Sequence, residues 1–291
     1  GDRTPMDVGA MMAEWAVFPG QVATGSRAAR GTRLLSRRPI RHHSAMDIGI
    51  ILFVVAVVLA AATAQTVAGF GFALVAVPFF VVVLDVRDAV VLTTLLGLLN
   101  NAIVARTAWR HVPWRAVGPM LAGAFAGMPL GLAVLLFAPE DALRFGVGVS
   151  TLVMAAALAS GLRFSDRSVV SELGVGLISG VLNTSTSMNG PPVVLYLQGR
   201  EHPPYEFRGA LAVFFFACGA ATLAAFFATR IVTGEALALC AFAVPAVAAG
   251  SLIGHALVRR VEAATFRRLV FALLAVSALA AVASSLARLF G

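Results

Sequence analysis

Most of this chain consists of hydrophobic blocks without a charged residue, separated by short polar segments. The eight blocks span residues 48–84, 89–105, 116–139, 145–162, 173–199, 209–229, 236–258 and 269–287. Blocks of this length and composition predict membrane-spanning helices. The first block has about 37 residues. As one helix it would be about 55 Å long, whereas the hydrocarbon core of a bilayer is about 30 Å thick. The fifth block, with about 27 residues, also exceeds a single span.

Both overlong blocks are interrupted near the middle by residues that favour a break in a helix. The first contains Gly69–Phe72 (GFGF), and the fifth contains Asn189–Pro192 (NGPP). Glycine tolerates non-helical backbone angles, and proline lacks the N–H that a continuing helix requires. Each interrupted block opens one half of the chain. Paired interrupted segments at corresponding positions are typical of the binding site of a secondary transporter.

The two halves match in further motifs. Gly71 precedes Gly190 by about 119 residues, and Gly127, in a Gly-x3-Gly-x3-Gly motif, precedes Gly254, in a Gly-x3-Gly motif, by about 127 residues. A duplication of this size predicts two membrane repeats of four blocks each, the first block of each repeat being broken. We therefore expect an all-α polytopic membrane protein with about eight to ten membrane segments. The expected repeats span residues 46–165 and 166–291.

Arginines in the loops predict how the repeats are oriented. The loops near residues 106–115, 163–167 and 259–268 are rich in arginine, and such loops face the cytoplasm. All three lie inside only if block 173–199 leaves and returns to the same side as a hairpin. If block 48–84 does the same, the two repeats are inverted relative to each other.

The composition supports a membrane protein and argues against other classes. Charged residues make up 12% of the chain, against about 25% in soluble domains. The net charge of +8 comes from arginines in the N-terminal segment and the loops, so it predicts membrane orientation and no nucleic-acid partner. Cys218 and Cys240 lie in hydrophobic blocks and are interpreted as packing residues, with neither a disulfide nor a metal site.

The N-terminal segment differs from the rest of the chain. Residues 1–45 are rich in Arg, Gly, Ser and Ala, and we expect them to form a disordered extension. An upstream extension arising from the choice of start site is an alternative, since Met46 directly precedes the first block. A transit peptide is another alternative, although the acidic residues of the segment argue against it.

Polar residues cluster just before the second break. Six of the seven residues from Asn183 to Asn189 have polar side chains, within an otherwise apolar block. Proline is favourable in the first turn of a helix, so Gly190–Pro192 predicts the start of a new half-helix. Its N–H groups and positive dipole end would face the cluster and form an uncharged anion site. The alternative is a polar hairpin loop at the membrane surface, hydrated by water.

The first break offers fewer polar groups. Gln65 and Thr66 precede its glycines, and the alternative here is close helix packing through small residues. Arg208 follows the second half-helix and is a candidate to attract or bind an oxyanion; the alternative is an ordinary cytoplasmic loop charge. The candidate substrate-binding residues are Gln65, Thr66, Gly69, Gly71, Asn183, Ser185, Ser187, Asn189, Gly190, Pro191 and Arg208.

Block 89–105 also carries polar residues, which allow two interpretations. They are Thr93, Thr94, Asn100 and Asn101. Hydrogen bonding between helices is favoured over contact with a ligand, because polar residues commonly join membrane helices and the two asparagines lie near the end of the block.

Two stretches of the sequence resemble a known family. The first is AGFGFALVAVP at the first break, and the second is GLISGVLNTSTSMNGPPVVLYL around the second break. Both are similar to signature stretches of the sulfite exporter TauE/SafE family, and the resemblance covers roughly residues 48–288. It implies transport of small sulfur-containing anions such as sulfite, or organosulfonates such as sulfoacetate.

We therefore expect a secondary transporter or exporter of small anions in the bacterial inner membrane. Its partners would be the anion and the lipid bilayer; no cofactor or metal is expected, and a homo-oligomer is left open. An enzyme is disfavoured, because the blocks contain no pair of membrane aspartates and the sequence has no phosphate loop or zinc-ligand spacing. The alternative function is a non-transporting membrane scaffold or assembly protein, which would not need a buried polar site.

Overall fold

The computed structural model describes residues 47–109, 112–160, 168–200 and 203–258, which form helices and the turns between them. The helices are α1 (Ile48–Ala68), α2 (Phe72–Val83), α3 (Val86–Ala108), α4 (Trp114–Phe137), α5 (Glu140–Ala159), α6 (Val169–Thr186), α7 (Gly190–Gln198), α8 (Pro204–Ala228) and α9 (Gly234–Val258). The described residues contain no strand, in agreement with the all-α prediction. Residues 1–45 and block 269–287 lie outside the described residues.

Both predicted breaks are present. Helix α1 ends at Gly69 (φ 85°), and α2 follows Gly71 (φ 104°). Both residues adopt the left-handed region of backbone angles, which glycine enters without steric penalty. Helix α6 ends at Ser187, a residue other than glycine in the left-handed region (φ 59°), which is uncommon. Prolines occupy the first turn of α7, so they begin a half-helix as predicted and the break itself lies just before them.

Five of the described helices are long and apolar enough to cross a membrane. They are α1, α4, α5, residues Tyr205–Ala228 of α8 and residues Gly234–Leu257 of α9. Helix α2 is apolar but has only 12 residues. Helix α3 carries Arg87, Asp88 and Arg106, and α6 carries Glu172 and a polar last turn. The chain is therefore a multi-pass membrane protein that combines long apolar spans with one short apolar helix, α2, and two more polar helices, α3 and α6.

The two half-helices α2 and α7 are enclosed by the rest of the protein. Eight of the 12 residues of α2 and seven of the nine residues of α7 are buried. Helix α2 belongs to an apolar cluster with α1, α3 and α9, and α7 belongs to one with α4 and α8. The second break, Ser187–Asn189, is buried as well, whereas the first break, Gly69–Gly71, is half-buried. Irregular backbone inside a bilayer needs protein or a water-filled cavity around it.

Glycines bring helices of the two halves into close contact along a seam between α4 and α6. A Cβ added at Gly123 or Gly127 of α4 would overlap the carbonyl oxygen of Leu173 or Leu177 in α6. In the same way, a Cβ at Gly176 of α6 would overlap the carbonyl oxygen of Met120. Only residues without a side chain permit this approach, which is typical of packed membrane helices.

A second glycine seam joins α9 to α1. A Cβ at Gly250 would lie 2.6 Å from the carbonyl oxygen of Leu59, and one at Gly254 would lie 2.6 Å from Cβ of Thr66. The glycine motifs that match between the halves of the sequence therefore occupy equivalent places. In one seam, α4 of the first half packs on α6, the first helix of the second half. In the other seam, α9 of the second half packs on α1, the first helix of the first half. Helices α3 and α8 pack between these pairs.

Candidate functional site

A cavity of about 60 Å³ lies where the two breaks come together. Gly71 from the first break and Asn189 and Gly190 from the second line the same space. One water molecule needs roughly 10–15 Å³ by the same measure, so the cavity has room for a small anion. Its polar side chains come from three helices and the second break, namely Gln65, Thr93, Thr94, Asn101, Asn183, Ser187 and Asn189.

No charged residue is among those that line the cavity in the described part of the chain. The lining also combines polar and apolar groups. Helix α3 contributes Thr93, Leu98 and Asn101, whereas α8 contributes Phe215 and Gly219. A ligand in the cavity thus meets polar side chains as well as an aromatic one.

The N-terminus of α2 provides backbone donors to the cavity. The first N–H groups of an α-helix have no partner within the helix, and in α2 they belong to Phe72, Ala73 and Leu74, all of which line the cavity. No side chain caps this helix at Gly71. The positive end of the helix dipole adds to the attraction for an anion. Helix α2 therefore presents the groups that an oxyanion requires.

The N-terminus of α7 is poorer in donors than the sequence suggested. Pro191 and Pro192 occupy its first turn, and neither has a backbone N–H. Gly190 has an N–H and lines the cavity. The prolines that favour the start of this half-helix therefore reduce its capacity to bind an anion, compared with α2.

The hydroxyl groups at the cavity donate to the backbone. Thr93 Oγ1 donates to the carbonyl of Ala89 (2.7 Å), and Thr94 Oγ1 lies 2.8 Å from the carbonyl of Val90. Ser187 Oγ lies 3.1 Å from the same Val90 carbonyl and 2.7 Å from Thr94 Oγ1. These hydroxyl hydrogens are therefore engaged, and the hydroxyl oxygens can offer lone pairs to a ligand.

Two asparagines of the second break differ in what they can offer. Asn183 Nδ2 donates to Thr222 Oγ1 (2.5 Å) and to the carbonyl of Cys218 (3.3 Å), so it joins α6 to α8. Asn189 is only 8% exposed. It makes no capping hydrogen bond for α7 and no other hydrogen bond within the described residues. A buried amide at a cavity wall without a partner indicates a place for a ligand.

Gln65 connects the first break to α3. Its Nε2 donates to Asn101 Oδ1 (2.8 Å), and Asn101 Nδ2 donates to the carbonyl of Gly97 (2.8 Å). Gln65 Oε1 is buried and has no hydrogen-bond partner among the described residues. An unpaired buried acceptor is unfavourable by about 1–3 kcal/mol, so this oxygen lacks a donor that the described residues do not supply.

Arg208 lies at the first break but outside the lining of the cavity. Its Nη2 donates to the carbonyls of Thr66 (3.1 Å) and Val67 (2.7 Å), in the last turn of α1. The aliphatic part of the side chain covers Gly69, with Cγ 3.5 Å from the position of an added Cβ. A positive charge at the C-terminal end of a helix is favourable. The arginine is exposed and holds the end of α1 from the start of α8.

The eleven candidate residues from the sequence therefore fall into two groups. Those that line the cavity are Gln65, Gly71, Asn183, Ser187, Asn189 and Gly190. Those outside its lining are Thr66, Gly69, Ser185, Pro191 and Arg208. Ser185 donates to the carbonyl of Val181 (2.7 Å). Whether any of these residues binds substrate stays a prediction.

Sequence reasoning gave little weight to the polar residues of α3. Thr93, Thr94 and Asn101 line the cavity, whereas Asn100 accepts a hydrogen bond from Ser251 of α9, in keeping with the helix-bonding interpretation. The available signal was the spacing of Thr93, Gly97 and Asn101, because residues four apart share one face of a helix.

An ion pair closes the base of the α6–α7 hairpin. Arg200 Nη2 lies 2.6 Å from Glu172 Oε1 and 2.5 Å from the hydroxyl of Tyr196. Glu172 is in the first turn of α6, and Arg200 follows the end of α7. The start of α6 and the end of α7 therefore lie together, as expected if this block leaves and returns to the same side.

Comparison with known proteins agrees with this geometry. Residues 54–281 match the model of the family described as sulfite exporter TauE/SafE, and the chain belongs to this family. It is 26% identical, over 72% of its length and 85% of the relative's, to a protein of Cupriavidus necator (strain H16) named "Probable sulfite/organosulfonate exporter TauE". No solved structure matches the chain. The protein is thus a membrane transporter of an exporter family and not an enzyme.

Proposed function

We propose that this protein exports sulfite or a small organosulfonate across the bacterial inner membrane, and that the anion binds in the cavity between the two breaks. The name of the relative in Cupriavidus necator supports this substrate class. The observation that carries the proposal is the N-terminus of α2, whose first three N–H groups belong to residues that line the cavity. The unpaired amide of Asn189 supports it independently.

A neutral site suits transport of an anion. Backbone N–H groups and an amide stabilise the negative oxygens through several hydrogen bonds, each strengthened by the low-dielectric surroundings. A buried arginine or lysine would hold the anion more tightly, and release would then be slow. The sulfur-bound carbon of an organosulfonate would contact the apolar part of the lining, including Phe72, Met188 and Phe215.

The transport pathway follows from a duplicated architecture with inverted repeats at residues 46–165 and 166–291. Gly69 and Ser187 are 118 residues apart, both end a first helix, and both adopt left-handed angles. Val90 of α3 contacts Ser187 at the second break. Arg208 of α8, which lies 118 residues after Val90, contacts the last turn of α1 at the first break. Each break is therefore held by the corresponding helix of the other repeat. Movement of the repeats against each other would open the cavity to alternate sides.

Removal of a single backbone donor tests the binding site. Ala73→Pro removes one N–H from the first turn of α2, at a position where helices tolerate proline. We expect sulfite to bind roughly 10- to 150-fold more weakly, as for loss of one hydrogen bond to a charged group. Isothermal titration of the purified protein with sulfite measures the change.

Val170→Pro provides the matched control. Val170 is at the equivalent position in the first turn of α6, is 77% exposed and does not line the cavity. This variant should bind sulfite as the wild type does. Equal affinity of the wild type and a folded Ala73→Pro variant would show that α2 does not bind the anion.

A further inference from the structure

We propose that the cavity selects a singly charged anion that carries a hydrogen-bond donor of its own, such as hydrogensulfite or a hydroxyalkanesulfonate. This inference rests on the proposed function, because it concerns the form of the anion that the same cavity accepts. It follows from which hydrogen bonds the lining residues already make and which remain open.

The hydroxyl groups of the cavity present acceptors to a ligand. Thr93 donates its hydrogen to the carbonyl of Ala89. Thr94 and Ser187 are within 2.7 Å of each other, and both are within 3.1 Å of the carbonyl of Val90. Each hydroxyl therefore has an acceptor for its hydrogen, either the Val90 carbonyl or the other hydroxyl, and neither hydrogen needs a ligand. Each oxygen retains a lone pair.

The amide of Gln65 presents a second acceptor, and its orientation is determined by its neighbours. The carbonyl of Gly97 can only accept, so the group that Asn101 places against it is Nδ2. Asn101 Oδ1 is then an acceptor, and the group that Gln65 places against it is Nε2. Gln65 Oε1 is left buried without a donor. Protein covers the oxygen itself, and Gln65 lines the cavity through other atoms, so a ligand O–H or N–H group would remove this deficit after a rotation of the side chain toward the cavity.

The donors of the cavity are suited to one negative charge. They are the first N–H groups of α2, the N–H of Gly190 and the amide of Asn189. No charged side chain lines the cavity in the described residues. The free energy of moving an ion out of water grows with the square of its charge, and the lining has no positive side chain to offset a second negative charge. A monoanion is therefore favoured over a dianion.

Because the small cavity offers both donors and acceptors, it fits an anion that has charged oxygens and also a hydrogen-bond donor. Its charged oxygens would bind α2 and Asn189, and its hydroxyl would donate to Gln65 or to a hydroxyl of α3. Hydrogensulfite meets this description, whereas the sulfite dianion has no donor and carries twice the charge. Among organosulfonates, a hydroxyalkanesulfonate meets it. An alkanesulfonate lacks the donor, and sulfoacetate, which the family resemblance implied, lacks the donor and carries two negative charges.

A pair of matched sulfonates tests the requirement for a donor. Isethionate and 1-propanesulfonate have the same charge and nearly the same size, and they differ by a hydroxyl in place of a methyl group. Isothermal titration of the purified wild-type protein should show isethionate binding at least about 5-fold more tightly, as for one additional hydrogen bond. Equal or tighter binding of 1-propanesulfonate overturns this inference but leaves the proposed function intact. If sulfite and both sulfonates fail to bind, the proposed function itself is wrong.

Two variants identify the acceptors. Gln65→Met removes the amide oxygen with little change in shape, and Thr93→Val removes a hydroxyl whose hydrogen is already engaged with its own helix. Each should reduce the preference for isethionate. Thr151→Val is the control, because Thr151 is also a buried threonine that bonds its own helix (2.7 Å to the carbonyl of Val147). It lies outside the lining and contacts it at Met188 Sδ (3.5 Å). If both folded cavity variants keep the full preference, the inference is overturned.

The pH dependence of sulfite binding provides an independent test. Titrations between mildly acidic and mildly alkaline pH change the ratio of hydrogensulfite to sulfite dianion. We expect the apparent affinity for total sulfite to fall as hydrogensulfite loses its proton, while the affinity for isethionate, whose charge is constant in this range, stays the same. An affinity for total sulfite that rises with pH would show that the dianion is the bound form.

Discussion

Asn189 is the residue of the second break whose side chain remains available to a ligand. Nearby Asn183 holds α8, and Ser187 bonds α3. Asn189 is as buried as these residues but has no hydrogen bond within the described part of the chain. It begins α7 without capping it. This combination is expected for a residue whose partner is the transported anion.

Arg208 is expected to affect the rate of transport more than the affinity. Its guanidinium bonds carbonyls at the end of α1 and is exposed, outside the lining. Arg208→Gln should therefore slow sulfite flux into proteoliposomes and weaken its dependence on ionic strength. Sulfite affinity should change by less than about fivefold, as for an exposed interaction.

Arg208→Lys is the control for the charge at this position. It should retain the salt dependence of the flux, because the positive charge remains. A loss of affinity in Arg208→Gln as large as that in Ala73→Pro would contradict this account and would indicate that the arginine binds the anion directly.

At residue level, the sequence predicted the polar side chains but not their hydrogen bonds. The Asn183–Asn189 cluster could be recognised because its polar residues interrupt a hydrophobic block, where polar side chains are rare. Which of them would bond the backbone depended on how close α3 and α8 come to α6, and no local pattern encodes that. The two prolines of α7 show a similar limit. They correctly predicted where the helix begins, but the anion site predicted there is weaker, because proline has no backbone N–H to donate.

At the level of helices, the glycine seams determine where the breaks lie. Helix α4 contacts α6, and α9 contacts α1, with backbones close enough to exclude a side chain at several glycines. The seams hold the first helix of each half in place while α2 and α7 extend into the interior. The matching glycine motifs indicated a duplication, but which helices they join became clear only from the structure.

Two glycines of α4 provide a test of the seam. Gly127→Ala places a Cβ against the backbone of Leu177, whereas Gly118 has nothing within 4 Å of an added Cβ. Gly127→Ala should lower stability by about 1–3 kcal/mol, the usual range for overpacking. Gly118→Ala should be neutral or stabilising, since alanine favours helix more than glycine does. Thermal unfolding in detergent measures both, and equal melting temperatures for the two variants would show that the α4–α6 contact is looser than described.

At the level of the whole molecule, the inverted arrangement predicts which loops share a side of the membrane. The loop at residues 199–208 and the arginine-rich loop at residues 259–268 should both face the cytoplasm. Cysteines introduced singly at Tyr205, which is 60% exposed, and at Arg260 should react with an impermeant thiol reagent from the same face in oriented vesicles. Native Cys218 and Cys240 are buried. Labelling from opposite faces would contradict the inverted repeats.

The overall class could be predicted from the sequence because it depends on block length, glycine and proline positions, and arginine distribution. These features act within one segment of the chain or through the bilayer, so they can be recognised in the sequence without knowing which helices contact each other. The cavity depends on contacts among six helices, and its position between both breaks could only be expected from their pairing. The contribution of α3 is the clearest example, because its polar residues are equally compatible with helix bonding and with a site.

The most direct test of an anion path through the cavity is sulfite flux into proteoliposomes that contain Gly190→Leu, compared with Gly190→Ala. An alanine Cβ at Gly190 would lie 3.6 Å from Phe215 and 3.8 Å from Phe70, which is ordinary contact, whereas leucine would extend into the cavity. We predict near wild-type flux for Gly190→Ala, strongly reduced flux for Gly190→Leu, and flux reduced with an affinity loss of roughly 5- to 150-fold for Asn189→Ala. Wild-type flux in folded Gly190→Leu and Asn189→Ala proteins would contradict the account and place the anion path elsewhere.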